Sequence, residues 1–153
     1  MIGALLAGGV DGGALLEGRL LASYPAEALA GVCERVAVVC EPGASLPELP
    51  GTERWEVADE TGNPLGGIVH ALERAGGPVL VCAADMPFVT SDACRTLLAS
   101  AGSRPAAVAT AAGVLVPAFG LYAPAALDEL RSGTVEQLDP IRVALPPALL
   151  RRA

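Results

Sequence analysis

Met1-Ile2-Gly3-Ala4-Leu5-Leu6-Ala7-Gly8-Gly9-Val10-Asp11-Gly12-Gly13 is the stretch that decides the fold. Its apolar run Ile2–Ala7 is short and closed by glycines, the length of a buried strand rather than of a helix. It lacks the positive flank and cleavage signal of a secretory peptide. The glycines that follow let the backbone turn tightly and bring its N–H groups close to a ligand, the arrangement that cradles a phosphate. The spacing is not that of a G-x-G-x-x-G fingerprint, and the Lys and Ser/Thr of a Walker loop are missing. A tight glycine turn with no ligand is the alternative.

Outward from this stretch, strand and helix signals alternate. Apolar runs at Arg35–Cys40 and Val79–Ala83, with a shorter extended segment near Arg54–Val57, read as further strands. Leu65, Ile68, Val69 and Leu72 recur at the spacing of one helical stripe, and Gly76-Gly77-Pro78 stops that helix. Ser23 and Pro25 open a helix towards Val32, and Thr90 or Ser91 caps another running through Leu97 and Leu98. Glu41–Gly51 reads as a surface loop. From Pro105 to Leu127 no residue is charged, yet three prolines and two glycines interrupt the run too often for a membrane helix. Two strands, Ala106–Ala111 and Val114–Leu121, fit better, paired around Gly113 with Pro124 opening the next helix. Such β-α-β alternation favours a doubly wound sheet that takes its ligands at the carboxyl ends of its strands.

Composition narrows the function. At 153 residues the expectation is one domain over 1–153, with a core of Ala, Val and Leu, because 52% of residues are hydrophobic and only 3% aromatic. A net charge of −7 argues against nucleic acid or an anionic membrane as partner. All ten basic residues are Arg, so any mechanism needing a lysine ammonium is excluded. Cys33, Cys40, Cys82 and Cys94 have no C-x-x-C spacing and read as buried thiols, in keeping with a cytoplasmic setting; a lone His70 offers no metal cluster. Ala-rich apolar surface allows a homodimer.

Three segments carry chemistry. Gly8, Gly9, Asp11, Gly12 and Gly13 follow the first strand. Asp85 ends the run Val79–Ala83 at the same sheet edge, where a carboxylate can hold Mg²⁺ against phosphates; loop capping is its plainer role. Asp59-Glu60-Thr61-Gly62-Asn63-Pro64-Leu65-Gly66-Gly67 is a turn leading into a helix whose first N–H groups can face a ligand. Trp55 reads as packing, and His70, Asp128 and Asp139 as solvated or hydrogen-bonded groups, with Asp139 able to approach a metal if the final strand returns to the site.

Taken in order, these segments resemble the molybdenum cofactor guanylyltransferase family of nucleotidyltransferases. Leu6-Ala7-Gly8-Gly9 looks like that family's L-A-G-G, Pro64-Leu65-Gly66-Gly67 like its G-P-L-A-G turn, Asp85-Met86-Pro87 like its C-D-M-P, and Val114–Tyr122 like its P-L strand leading into a tyrosine. The resemblance implies a three-layer Rossmann-like α/β fold of the nucleotide-diphospho-sugar transferase type, a mostly parallel sheet with helices on both faces. It implies transfer of GMP from GTP to molybdopterin with Mg²⁺ as cofactor. Asp85 would be the metal ligand, Gly8 and Gly9, with Leu6, Ala7, Asp11, Gly12 and Gly13, the nucleotide-binding bend, and Asp59, Pro64, Leu65 and Gly66 the lining near base and ribose.

This chain departs from the family's R-M-G-x-x-K continuation. After Gly9 it reads Val10-Asp11-Gly12-Gly13-Ala14-Leu15-Leu16-Glu17, with an acidic residue where the family grips triphosphate, and Arg19 is the nearest substitute cation. Asn63 replaces the first glycine of the turn, and Leu149–Ala153 lacks the family's N-T-P-type motif. Three functional classes follow: a guanylyltransferase, a non-catalytic nucleotide- or pterin-binding relative working through a partner, and a structural subunit with an empty site.

Overall fold

A computed structural model describes residues 1–9, 11–58, 64–133 and 135–153. Seven strands form one sheet in the order β5-β4-β1-β6-β8-β7-β9. They are β1 (Ile2–Leu6), β4 (Arg35–Cys40), β5 (Thr52–Glu56), β6 (Val79–Ala83), β7 (Ala106–Ala111), β8 (Val114–Tyr122) and β9 (Ile141–Ala144). Within this sheet, among the described residues, only β8 is antiparallel to its neighbours and the other pairings are parallel. A separate hairpin, β2 (Leu15–Leu16) and β3 (Arg19–Leu20), stands outside this sheet.

The central strands are apolar at consecutive positions because both of their faces are covered. In β1, Leu5 enters one core while Ala4 and Leu6 enter the other; in β6, Leu80 and Cys82 face the first and Val79 and Val81 the second. Helices α1 (Ser23–Ala30) and α3 (Ser91–Ala101) seal the first core with Leu29, Cys94 and Leu97. Helices α2 (Pro64–Ala75) and α4 (Leu127–Ser132) seal the second with Ile68, Leu72 and Leu130. The expected three-layer α/β architecture is the one observed.

Local signals explain the element ends. Thr90, not Ser91, caps α3: its Oγ1 accepts from the Ala93 N–H at 3.1 Å. The Ser91 hydroxyl instead donates to the Ala28 carbonyl at 2.9 Å and ties α3 to α1. Helix α1 ends at Ala30, short of the expected Val32, with Val32 and Cys33 bonding back to the Leu29 carbonyl. The β7–β8 turn uses positive φ at Ala112 (49°) and Gly113 (80°), the two-residue hairpin geometry that matches strand twist. The uncharged run from Pro105 to Leu127 is thus chiefly sheet, and among the described residues no helix is long and apolar enough to cross a membrane.

The sequence reading gives no range to the β2–β3 hairpin or to β9. The β2–β3 hairpin is only two residues per strand, too short for an alternating pattern, and turns on Glu17 and Gly18 at positive φ. β9 has four residues and reaches the sheet edge through pairing with β7. Asp139 lies before β9, at the amino edge of the sheet, and its carboxylate accepts from Arg104 at 2.8 Å. The possibility that it approaches a metal near Asp85 is therefore corrected, since Asp85 sits at the opposite, carboxyl edge.

All four cysteines are free and buried. Burial pushes the Cys33 thiol up to about 11 and the Cys94 thiol up to about 12, and it raises those of Cys40 and Cys82 and the Tyr122 phenol. The folded chain keeps these protons after the unfolded chain has released them. Stability is therefore full below the unfolded thiol range and falls as pH rises through it, by about 1.4 kcal/mol per pH unit for each thiol. Denaturant midpoints measured from pH 7 to 10.5 should stay level to about pH 8.5 and then drop; a level midpoint throughout would contradict this origin.

Candidate active site

Because β1 and β6 are adjacent and parallel, with Leu6 in register with Ala83, both strands deliver their chains to one rim. The Ala84 N–H donates to the Leu6 carbonyl at 2.8 Å and the Ala7 N–H to the Val39 carbonyl at 2.9 Å, so pairing continues up to the turn. Leu6 and Ala7 are buried, one in each core, and serve as the stem. Gly8 and Gly9 then emerge exposed; Gly9 has φ +74°, and a side chain at either would meet nothing within 4 Å. This is backbone open to a ligand.

Across the rim, Asp85 follows β6 in a turn closed by the Met86 N–H on the Ala83 carbonyl at 3.2 Å. Met86 is fully buried and anchors the turn, which holds Asp85 at the edge with 18% of its side chain exposed. Gly9 and Asp85 line one cleft of about 350 Å³, together with Asp11, Leu15, Leu16 and Ala153.

The glycine bend is tied down locally. The Asp11 Oδ1 accepts from the Gly13 N–H at 3.0 Å, and the Ala14 N–H donates to the Asp11 carbonyl at 3.2 Å, a side-chain-capped turn. Asp11 is thus the cap of this turn, and its negative charge lines the cleft. Gly12 is fixed by packing: a Cβ there would come within 2.2 Å of Leu46 Cδ2 and 3.1 Å of the Ser45 carbonyl. The β2–β3 hairpin stands next, and Tyr24 on α1 fastens it by donating to the Leu16 carbonyl at 2.8 Å.

Arg19, the nearest substitute cation in the sequence, is engaged away from the cleft. On β3, its guanidinium pairs with Glu27 at 2.5 Å and lies 4.7 Å from the Tyr24 ring centroid, and it does not line the cleft. The cation beside Asp85 comes instead from the far end of the chain. Arg152 Nε is 2.6 Å from Asp85 Oδ1, and the Ala153 N–H donates to the Asp85 carbonyl at 2.9 Å. The ion pair is close but misaligned, because Asp85 Oδ1 has no hydrogen bond of acceptable geometry although it is buried. Sequence reasoning missed Arg152; the signal was an Arg pair directly after the apolar Leu149-Leu150 in a chain without lysine.

Pro64, Leu65 and Gly66 open α2, which packs on the face opposite α1 and α3. Gly67 lets α2 approach β1, since a Cβ there would be 3.1 Å from Leu6 Cδ2. Asp59 falls outside the described residues. Trp55 is buried under Arg74, whose guanidinium is 4.9 Å from the ring centroid, so its packing role is as expected.

The donor chemistry at the rim fits a divalent cation held jointly with substrate. Among the described residues no cluster of three His, Cys, Asp or Glu could cage a metal by itself. Asp85 Oδ1 is nevertheless a buried anionic oxygen lacking an aligned donor, and Mg²⁺ is ordinarily bound through one or two carboxylates plus phosphates and water.

A parallel α/β sheet with a glycine bend and a carboxylate at adjacent strand ends defines a protein of nucleotidyltransferase type. Residues 12–143 match the MobA-like NTP transferase domain, and the chain belongs to that family. Its fold is similar to that of molybdopterin-guanine dinucleotide biosynthesis protein A from Archaeoglobus fulgidus, with 22% identity over 95% of this chain and 83% of that one, at a TM-score of 0.71. It is also similar to 2-C-methyl-D-erythritol 4-phosphate cytidylyltransferase from Thermus thermophilus, with 21% identity, 98% and 91% coverage and a TM-score of 0.69. A Mycobacterium tuberculosis protein solved in complex with manganese gives 17% identity, 95% and 87% coverage and a TM-score of 0.71. A comparison with curated protein sequences finds no match.

Proposed function

We propose that this chain transfers the nucleoside monophosphate of an NTP to a phosphorylated acceptor, specifically GMP from GTP to molybdopterin in molybdenum cofactor biosynthesis. The observation that carries the proposal is the meeting of Gly9 and Asp85 in one cleft at the carboxyl edges of β1 and β6. The sequence resemblance, the family and the fold shared with the Archaeoglobus protein support the choice of acceptor.

In this reading a phosphate oxygen of the acceptor attacks the α-phosphorus of GTP. The P–O bond to the β-phosphate breaks, and pyrophosphate leaves with the electron pair. Little covalent chemistry falls to the protein; its work is to align the two phosphates and offset their charge. Gly8 and Gly9 admit the phosphates to the backbone without a side chain in the way. Leu6 and Ala7 fix the bend to the sheet, while Asp11, Gly12 and Gly13 hold its shape. Asp85 would hold Mg²⁺ or Mn²⁺, which when bound supplies charge neutralisation at the phosphates. Asp59, Pro64, Leu65 and Gly66 are assigned to base and ribose. Leu15 and Leu16 give the cleft an apolar side.

Melting temperatures measured with GTP, ATP and CTP, each with Mg²⁺, Mn²⁺ or chelator, test the binding step. A nucleotide at a hundred times its Kd should add about 2.7 kcal/mol of stability, with GTP and metal giving the largest shift. Pyrophosphate release on adding molybdopterin then tests transfer. No shift with any nucleotide would refute the proposal, and binding without pyrophosphate release would leave only the non-catalytic class.

A further inference from the structure

The cleft carries two carboxylates, Asp11 and Asp85, yet has to receive a ligand with several negative charges. Six of the ten arginines, Arg19, Arg35, Arg54, Arg95, Arg104 and Arg131, pair with carboxylates outside the cleft. Arg152 pairs with Asp85, a residue of the cleft lining, and is brought beside the cleft by a built connection. After β9 the chain makes a short helical turn, Pro147–Leu150, whose Leu150 is buried in the same core as Met86, the anchor of Asp85. The Ala153 N–H bond to the Asp85 carbonyl then fixes the tail against the turn. Leu150 and Ala153 thus pin the chain on both sides of Arg152.

We propose that Arg152 is the phosphate-clamping cation of this chain, standing in for the absent lysine from the opposite end of the sequence. The inference rests on the nucleotidyltransferase reading above. A guanidinium offers five donors in a fixed fork, and here Nε stands 2.6 Å from the carboxylate in a misaligned contact. Half of the Arg152 side chain is exposed, at 51%, so the two Nη groups can take phosphate oxygens in the bidentate manner that suits arginine. The Asp85 pair therefore parks the cation in the empty cleft. With a triphosphate bound, Asp85 would hold the divalent ion and the Arg152 guanidinium would take phosphate oxygens, each in exchange for the other. The main-chain bond of Ala153 keeps the tail in place during the exchange.

The test measures GTP affinity, with Mn²⁺ and with chelator, for the wild type, Arg152→Gln and Arg152→Lys, using melting temperature without ligand to confirm that each variant is folded. Arg152→Gln should weaken GTP binding by roughly 10- to 100-fold, the loss expected when a charge-assisted phosphate contact is removed. Arg152→Lys should recover part of it, since an ammonium keeps the charge and loses the fork. Mn²⁺ binding without nucleotide should be equal or tighter in Arg152→Gln, because a competing cation has left Asp85. Unchanged GTP affinity in Arg152→Gln would overturn the clamp, and tighter GTP binding would show that the arginine plugs the cleft instead. Failure of the wild type itself to bind any nucleotide would strike the functional reading, and the clamp would fall with it.

Discussion

Asp85→Asn should slow nucleotidyl transfer by about 100- to 1,000-fold while leaving the protein folded. A metal at a transferring phosphoryl group is worth several kcal/mol of transition-state stabilisation, and each 1.36 kcal/mol is a factor of ten in rate. Asparagine keeps the size of the side chain and loses the negative charge that would hold the metal. The structural cost is small because the partner Arg152 is half exposed and the contact misaligned, and such pairs contribute about 1 kcal/mol or less. The variant should also lose the difference in GTP affinity between Mn²⁺ and chelator. A measured rate within threefold of wild type, or an intact metal response, would remove Asp85 from the role given to it.

The second large effect concerns stability. Phe119 lies on β8 opposite Cys82 of β6, is completely buried, and contributes one of only two phenylalanines in the chain. Its neighbours in the core are mostly Ala, Val, Leu and Cys, small or branched groups held by strand pairing, so they cannot move in to fill the space. Phe119→Ala should therefore cost about 3–5 kcal/mol and lower the melting temperature by roughly 10 °C. Phe88, which is 44% exposed just after the Asp85 turn, is the internal control: Phe88→Ala should change stability by about 0.5 kcal/mol or less. Loss of less than 1 kcal/mol at Phe119 would mean that the first core is much more adaptable than its burial indicates.

The comparison of sequence with structure depends on range. Strand and helix positions were legible where a single local rule acts. The apolar runs of β1, β4 and β6 exceed what one buried face requires, the α2 stripe has helical spacing, and the glycine of the β7–β8 turn is needed for positive φ. Arg19 was legible only as a charge near the glycine bend in sequence; in space Glu27 and Tyr24 hold it elsewhere. The capping of Gly13 by Asp11 depends on the loop's conformation and not on its composition, so the sequence shows only the charge.

The sequence by itself determined the alternation of elements, the glycine bend after the first strand and the carboxylate after the third apolar run, because each follows from side-chain polarity within a few residues. Tertiary structure alone decided which of ten arginines reaches Asp85. That choice is made by a chain path of more than sixty residues, through β7, β8 and β9, which returns the tail to the carboxyl edge of the sheet and pins it there with Leu150 and Ala153. A contact across such a separation leaves no periodicity or spacing to read, since loop closure and packing, and no local preference, fix its geometry.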